Sequence, residues 1–465
     1  MSPRNKELFR LEIKTTMNIQ KEIAPHITGI IARLQAAGFE AYIVGGAVRD
    51  LLLGRKPKDY DIATSATPTE VRKVFRDRRT LLIGRRFQLV HLFHKDEIIE
   101  ISTFRRRPTS DQQSFRKSDR PAPEHMIFQD NEFGTAEEDA FRRDFTVNAL
   151  LYDPVENEYA DHTKMGRADL DAKIVRCIGD PMIRFEEDPV RILRALKLAG
   201  QYGFSIEKET EEAIGKSLHL ITLVSPSRLT LELEKILKNP YSHNILKVFR
   251  QYGFLKYFLP YIDKNYETEQ CRYFLELLEE RNKRVMAGLY RDSISVGMSV
   301  FTLPFAERVY MTNEGKEPFP GSLWENKPSF DDFDSLLHAV LKPQTPTRRS
   351  VMAAVKILMM QQRIKGVQNM KEEDVAALPR NKSYSHAREL AYIQNEVNWK
   401  MGEEWSSLLP DPGFVPRVKK VKYHSHGRRN RGKKMEVTEK VKDVNDSVSM
   451  NNENAGSQIP VTEEK

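Results

Sequence analysis

Cysteine is nearly absent: Cys177 and Cys271 are the only two in 465 residues. That excludes a disulfide framework and a cysteine-built metal site. Long apolar runs are missing as well, since no stretch approaches the ~20 residues that a membrane helix needs. Residues 1–17, MSPRNKELFRLEIKTTM, contain no hydrophobic segment of the secretory kind, and Glu7 and Glu12 count against an organelle transit peptide. Met17 offers an alternative start that would leave residues 1–16 as an extension. The expectation is a cytoplasmic, monomeric protein with no membrane partner. Familiar catalytic signatures are missing too. Gly45-Gly46 is followed by no Lys-Ser/Thr pair, and Gly215-Lys216-Ser217 has Thr210 where a phosphate-binding loop needs its first glycine. There is no Gly-x-Gly-x-x-Gly, no His-Glu-x-x-His and no His-Asp dipeptide. These absences count against a P-loop nucleotidase, a dinucleotide enzyme, a zinc hydrolase and a His-Asp phosphohydrolase.

What is present begins with charge. The formal net charge is +8, and the stretch 417–434 holds Arg417, Lys419, Lys420, Lys422, Arg428, Arg429, Arg431, Lys433 and Lys434 without one acid. Those nine cations exceed the excess of the whole chain, so the body is near neutral and the tail is basic. Such a distribution points to a polyanion partner, with a merely solvated tail as the alternative. Leu409-Pro410-Asp411-Pro412-Gly413 marks its boundary, and 409–465 is expected to be disordered.

The densest local pattern is Ala41–Thr64, AYIVGGAVRDLLLGRKPKDYDIAT. It reads as strand, glycine turn, helix, then a second strand bearing Asp59 and Asp61. Alternate strand residues share a face about 6.5–7 Å apart. Two carboxylates so placed, beside glycines that let backbone N–H groups approach an anion, suit a divalent metal and a phosphate chain. Before it, Ile27, Ile30, Ile31 and Leu34 predict a helix from Pro25 to Ala37. After it, Thr67-Pro68-Thr69-Glu70 predicts a capped helix start. Leu81–Phe93 reads as a turn into a strand, and Glu97–Phe104 as its neighbour across Lys95-Asp96. Glu100 in that strand is either an edge residue facing water or a third carboxylate beside the aspartate pair.

Arg105–Glu124 reads as a mobile loop. In Phe133–Tyr152 an acidic helix start leads to Arg142, Arg143 and Asp144. Two guanidiniums near metal-binding carboxylates would neutralise a triphosphate, the alternative being a local Arg–Asp ion pair. Asp188-Pro189 is a strong helix start. Asp188 is explained by capping alone, or, with Arg191 three residues on, presents an acceptor and a planar donor to a base edge. From 205 to 405 the periodicity is helical, with Glu314–Ser329 a Gly/Pro-rich loop.

Taken together, Gly45-Gly46-Ala47-Val48-Arg49-Asp50 with Leu53-Gly54, Asp59-Tyr60-Asp61, Arg142–Ala149 and Glu187–Ala195 resemble the class II tRNA nucleotidyltransferase and bacterial poly(A) polymerase family over roughly residues 25–260. The resemblance implies an α/β head of the polymerase-beta-like nucleotidyltransferase type over 18–152, a neck with a base-recognition helix over 153–245 and an RNA-binding helical body over 246–408, so that neck and body are all-α. It implies that Asp59 and Asp61 hold two Mg²⁺ ions, with Glu100 or Asp144 as a further catalytic carboxylate. Gly45, Gly46, Arg49, Arg142, Arg143, Asp188, Arg191 and Arg194 would bind the nucleotide, ATP, and the partner would be an RNA 3′ end. Two chemistries share this pattern, CCA addition to tRNA and polyadenylation. Ile83–His91, the Arg-rich tail and, less closely, Pro343–Ile364 are similar to the polymerases. A catalytically silent RNA-binding protein would need its carboxylates disabled, and both are present.

Overall fold

The computed structural model describes residues 10–11, 19–84, 89–107, 132–311, 318–322, 328–397 and 405–412. The basic residues Arg417 to Lys434, and residues 85–88 and 108–131, lie outside them. So do most of the expected Arg105–Glu124 loop and the centre of the Ile83–His91 segment.

The chain opens with β1 (Arg10–Leu11), α1 (Ile19–Glu22) and α2 (Pro25–Ala36). Helix α2 forms as its pattern demands: Ile27, Ile30, Ile31 and Leu34 are all buried, and Gly38 ends it at φ +88°. β2 (Ala41–Val44), α3 (Gly46–Leu52) and β3 (Asp61–Thr64) follow, so the second strand starts at Asp61 and Asp59 sits in the turn before it. α4 (Pro68–Val74) carries the full capping box between Thr67 and Glu70. Next come β4 (Thr80–Ile83), β5 (Leu89–His94), β6 (Glu97–Thr103), α5 (Ala136–Arg142), β7 (Leu151–Asp153) and β8 (Glu158–Ala160). Where the sequence suggested a turn into a single strand over Leu81–Phe93, there are two strands, β4 and β5.

These strands form one mixed sheet in the order β1-β8-β7-β2-β3-β6-β5-β4. Because β8 belongs to it, the sheet runs past Tyr152. Its two faces differ. Ile62, Ile101 and Val90 stand in one row and Ile99 and Leu92 in another, all buried toward the layer that contains α2 and α4. The opposite face carries Val44, Asp61, Glu100, His91 and Leu81, and its buried apolar residues form a small cluster of Val44, Ala63, Phe104, Ala136 and Leu151.

The neck contains α6 (Gly166–Ala172), β9 (Ile174–Val175), α7 (Pro181–Glu187), α8 (Val190–Tyr202), β10 (Ser205–Ile206), α9 (Lys208–Ser217), α10 (Pro226–Lys238) and α11 (Ser242–Gln251). Helices α8 and α11 touch at Gly200, where a Cβ would lie 2.6 Å from the Ile245 Cα. The body begins with α12 (Leu255–Phe258), α13 (Pro260–Lys264), α14 (Glu269–Met286) and α15 (Ile294–Thr302). It is not purely helical, because β11 (Glu307–Met311), in the stretch expected to be helical, pairs antiparallel with β12 (Pro318–Ser322), which lies inside the Glu314–Ser329 segment expected to be a loop. It closes with α16 (Phe330–Leu341), α17 (Arg348–Ile364), α18 (Glu372–Ala377) and α19 (Tyr384–Val397). Among the described residues no helix is long and apolar enough to cross a membrane.

Candidate active site

Sheet register builds the site. Val44 pairs with Asp61, so the glycine turn that leaves β2 begins beside that carboxylate. Asp61 in turn lies opposite Glu100, and Glu100 opposite His91, whose Nε2 is 3.4 Å from the glutamate. Asp61 is exposed at the start of β3, yet enough protein lies around it to disfavour its charge. That surrounding protein pushes its carboxyl up to about 6; Glu100 and Asp59 add to the rise, and Arg143 and Lys235 oppose it. Burial is thus the main cause of the rise, and the neighbouring carboxylates add to it.

Gly45 has φ +72° and ψ −136°, a conformation open essentially to glycine alone. A Cβ there would meet Arg143 Nη1 at 3.2 Å. Arg143 is thus brought against the turn, its Nη2 anchored on Asp139 at 2.8 Å. Both Arg142 and Arg143 hold Asp139, so the local ion pair exists, but it aims Arg143 into the site. Asp144 faces another way. Its Oδ1 accepts from the Phe145 N–H and from Asn148, and its Oδ2 lies 3.7 Å from Arg194.

Two expected nucleotide ligands are placed differently. Arg49, 7% exposed, turns inward: it donates to Asp50, Asn148 Oδ1 and the Tyr202 hydroxyl, tying α3 to α8. Arg191 is buried too and donates to Glu187 Oε2 and the Arg184 carbonyl. Asp188 and Arg191 are not brought together as a pair. Asp188 instead receives both its contacts at 2.9 and 3.1 Å from Arg228 of α10, while still accepting from the Val190 N–H. The acceptor-and-donor set exists, with a donor 40 residues away in place of three.

Some contributors were not legible. Arg184 is buried and its Nη2 donates to the carbonyls of Arg142 and Arg143, fixing the backbone that carries both guanidiniums. Glu232 of α10, 3% exposed, gathers Lys197, Lys235 and Arg194. Burial opposes its ionisation, yet the three cations hold its carboxyl down to about 2. A signal for it existed: Glu232 falls between Leu229 and Ile236 on the apolar stripe of its helix.

Residues 41–176 match the model of the "Poly A polymerase head domain", and residues 203–266 that of the "Probable RNA and SrmB- binding site of polymerase A". The chain carries the head of the poly A polymerase family. Poly(A) polymerase I of Haemophilus influenzae is 37% identical over 300 residues, which are 63% of this chain and 66% of that protein. The Escherichia coli O157:H7 protein of the same name is 37% identical over 292 residues, 62% of each chain. A CCA-adding enzyme of Geobacillus is 38% identical over 265 residues, 57% of this chain and 62% of that one. The chain thus spans a little under two thirds of the length of these curated relatives. Among solved structures, the Bacillus stearothermophilus CCA-adding enzyme in complex with CTP aligns with a TM-score of 0.56 at 24% identity, covering 83% of both chains. A tRNA nucleotidyltransferase complexed with a primer tRNA and an incoming ATP analog aligns at 0.51 and 22%, covering 80% of this chain and 96% of that one. These likenesses establish the nucleotidyltransferase fold: the mixed-sheet poly A polymerase head followed by a helical region.

Proposed function

We propose that the chain is a polynucleotide adenylyltransferase that adds AMP from ATP to RNA 3′ ends, serving RNA polyadenylation and turnover. The observation that carries this reading is the crowded Asp59–Asp61–Glu100 group beside Arg143 and the Gly45 turn. Among the described residues no three His, Cys, Asp or Glu side chains gather closely enough to cage a metal ion. Magnesium does not require a cage, since it retains waters and substrate phosphates around one or two carboxylates. Burial and the neighbouring Glu100 and Asp59 raise the carboxyl of Asp61, and Asp59 and Asp61 would hold two Mg²⁺ ions. When bound, such ions acidify the attacking hydroxyl and neutralise charge on the phosphates.

The residues of the chain do the rest. The 3′-oxygen of RNA attacks the α-phosphorus, the bond to the β-bridging oxygen breaks and pyrophosphate leaves. Gly45 and Gly46 bring backbone close to the triphosphate, and Arg143 presents a guanidinium there. Glu100 is the better third carboxylate, because it lies in register with Asp61 while Asp144 is engaged by Phe145, Asn148 and Arg194. Asp188 with Arg228 replaces Asp188 with Arg191 as the group facing the base. The basic tail from Arg417 to Lys434 would raise the local RNA concentration in a salt-dependent way. A second reading, CCA addition, is favoured by the identity to the CCA-adding enzymes.

The test is pyrophosphate release from ATP. It should require an RNA with a free 3′-hydroxyl and cease with a 3′-deoxy end. Asp59→Ala and Asp61→Ala should each abolish it while the fold survives. Release that persists in either variant would refute the metal assignment.

A further inference from the structure

Helix α4 and the turn into β4 carry Arg72, Lys73, Arg76, Arg78 and Arg79, with Asp77 the one acid among residues 72–79. With Thr69 and Thr80 these five cations line an open depression of about 800 Å³. Nearby acids are already engaged. Asp77 accepts from Arg33 at 2.5 and 2.9 Å, and that bond holds its carboxyl down to about 2. Glu70 closes the capping box with Thr67. Arg78, one of the lining residues, keeps its Nη1 buried without a hydrogen-bond partner. So many like charges facing one hollow repel one another unless an anion fills it.

The kind of anion follows from what surrounds the cations. Among the described residues, the rings beside these cations already carry guanidiniums of the protein: Arg78 lies 5.9 Å from the Phe75 centroid and Arg79 4.6 Å from that of Phe93. Those rings are not offered to a base, and stacking is how single strands are gripped by their bases. What remains is arginine forks, a lysine and two hydroxyl-bearing threonines, which is phosphate chemistry. Five cations exceed what a single phosphate needs, and an open hollow suits a chain passing through.

Position adds to this. Thr80 and Leu81 lie on β4, the edge strand. Leu81 stands in line with His91, Glu100 and Asp61 across the sheet, three strand spacings or about 14 Å from Asp61. Thr80 points to the other face, where α4 lies. Among the described residues no strand covers the far side of β4 in this sheet, so a strand of RNA leaving Asp61 can round that edge.

The geometry points to a second RNA site: we propose that this depression grips the phosphodiester backbone upstream of the 3′ end held at Asp61, without reading its bases. The idea rests on the adenylyltransferase reading for its partner. It is tested on the full chain carrying Arg72→Ala, Lys73→Ala and Arg76→Ala, three exposed residues outside the core. Arg78 and Arg79 are spared because they pack on rings. For an unstructured RNA of roughly 20 nucleotides, losing three single-strand phosphate contacts should reduce the slope of log affinity against log salt by about 2. KM for that RNA should rise on the order of tenfold, with KM for ATP and turnover on a trinucleotide primer unchanged. A variant retaining charge, Arg72→Lys with Arg76→Lys, should keep most of the slope. If the triple variant melts like the parent and its salt slope and RNA KM are unchanged, the site is not for RNA, and an acidic protein segment becomes its occupant. Failure of the parent to extend any primer would instead overturn the enzyme reading, and the binding slope would still decide the docking site.

Discussion

At Asp61 the fold holds a carboxyl near 6 where an ordinary aspartate titrates at 3.8. Between those values the folded chain binds more protons than the unfolded one. Asp61 therefore contributes stability that is lost as pH rises through that window. Removing the charge should relieve the crowding. Without divalent cations at pH 7.5, Asp61→Asn is expected to raise Tm by roughly 2 °C while eliminating AMP incorporation; a lowered Tm would show that the carboxylate is not strained. Ionised Asp61 is the form that binds metal, so at limiting Mg²⁺ kcat/KM should climb as pH passes about 6. Saturating Mg²⁺ should move that limb to lower pH, since metal and proton compete for one group. A limb that ignores Mg²⁺ would remove Asp61 from the metal site.

Among the elements, the glycine turn and the α7–α8 corner make the sharpest claims. Gly45→Ala forces a side chain into a glycine-only conformation and against Arg143, at a cost of about 1–3 kcal/mol. KM for ATP should rise with it, read by steady-state kinetics. Arg184→Ala frees the carbonyls of Arg142 and Arg143 and leaves Glu187 with Arg191 alone. It should weaken ATP binding at least tenfold, with less effect on RNA binding; equal loss of both would mean general unfolding. Helices α2 and α4 were legible because their signals are local, an apolar repeat in one and a four-residue capping box in the other. Arg191 was not. Its spacing from Asp188 was right for a pair, but Glu187, one turn before it on the buried side, outcompetes Asp188 for the guanidinium.

For the whole molecule, the strand-turn-helix proposed as catalytic could be read as an element because its residues are neighbours in the chain. The partners around them could not, since Arg228 reaches Asp188 only once the neck has folded on itself, and Arg184 reaches the Arg143 carbonyl only once the neck meets the head. Periodicity says that α10 is amphipathic; it does not say which carboxylate its arginine will meet. A different signal hid the β11–β12 pair: the Pro and Gly of β12 read as a loop.

The central claim is untemplated extension of RNA with ATP. Primer extension with each nucleoside triphosphate in turn, on tRNA lacking its CCA end and on an unstructured RNA, tests it most directly. Long products with ATP alone on either RNA are predicted. Products that stop after C, C and A on the tRNA, with the unstructured RNA left unextended, would contradict polyadenylation and assign the chain to CCA addition.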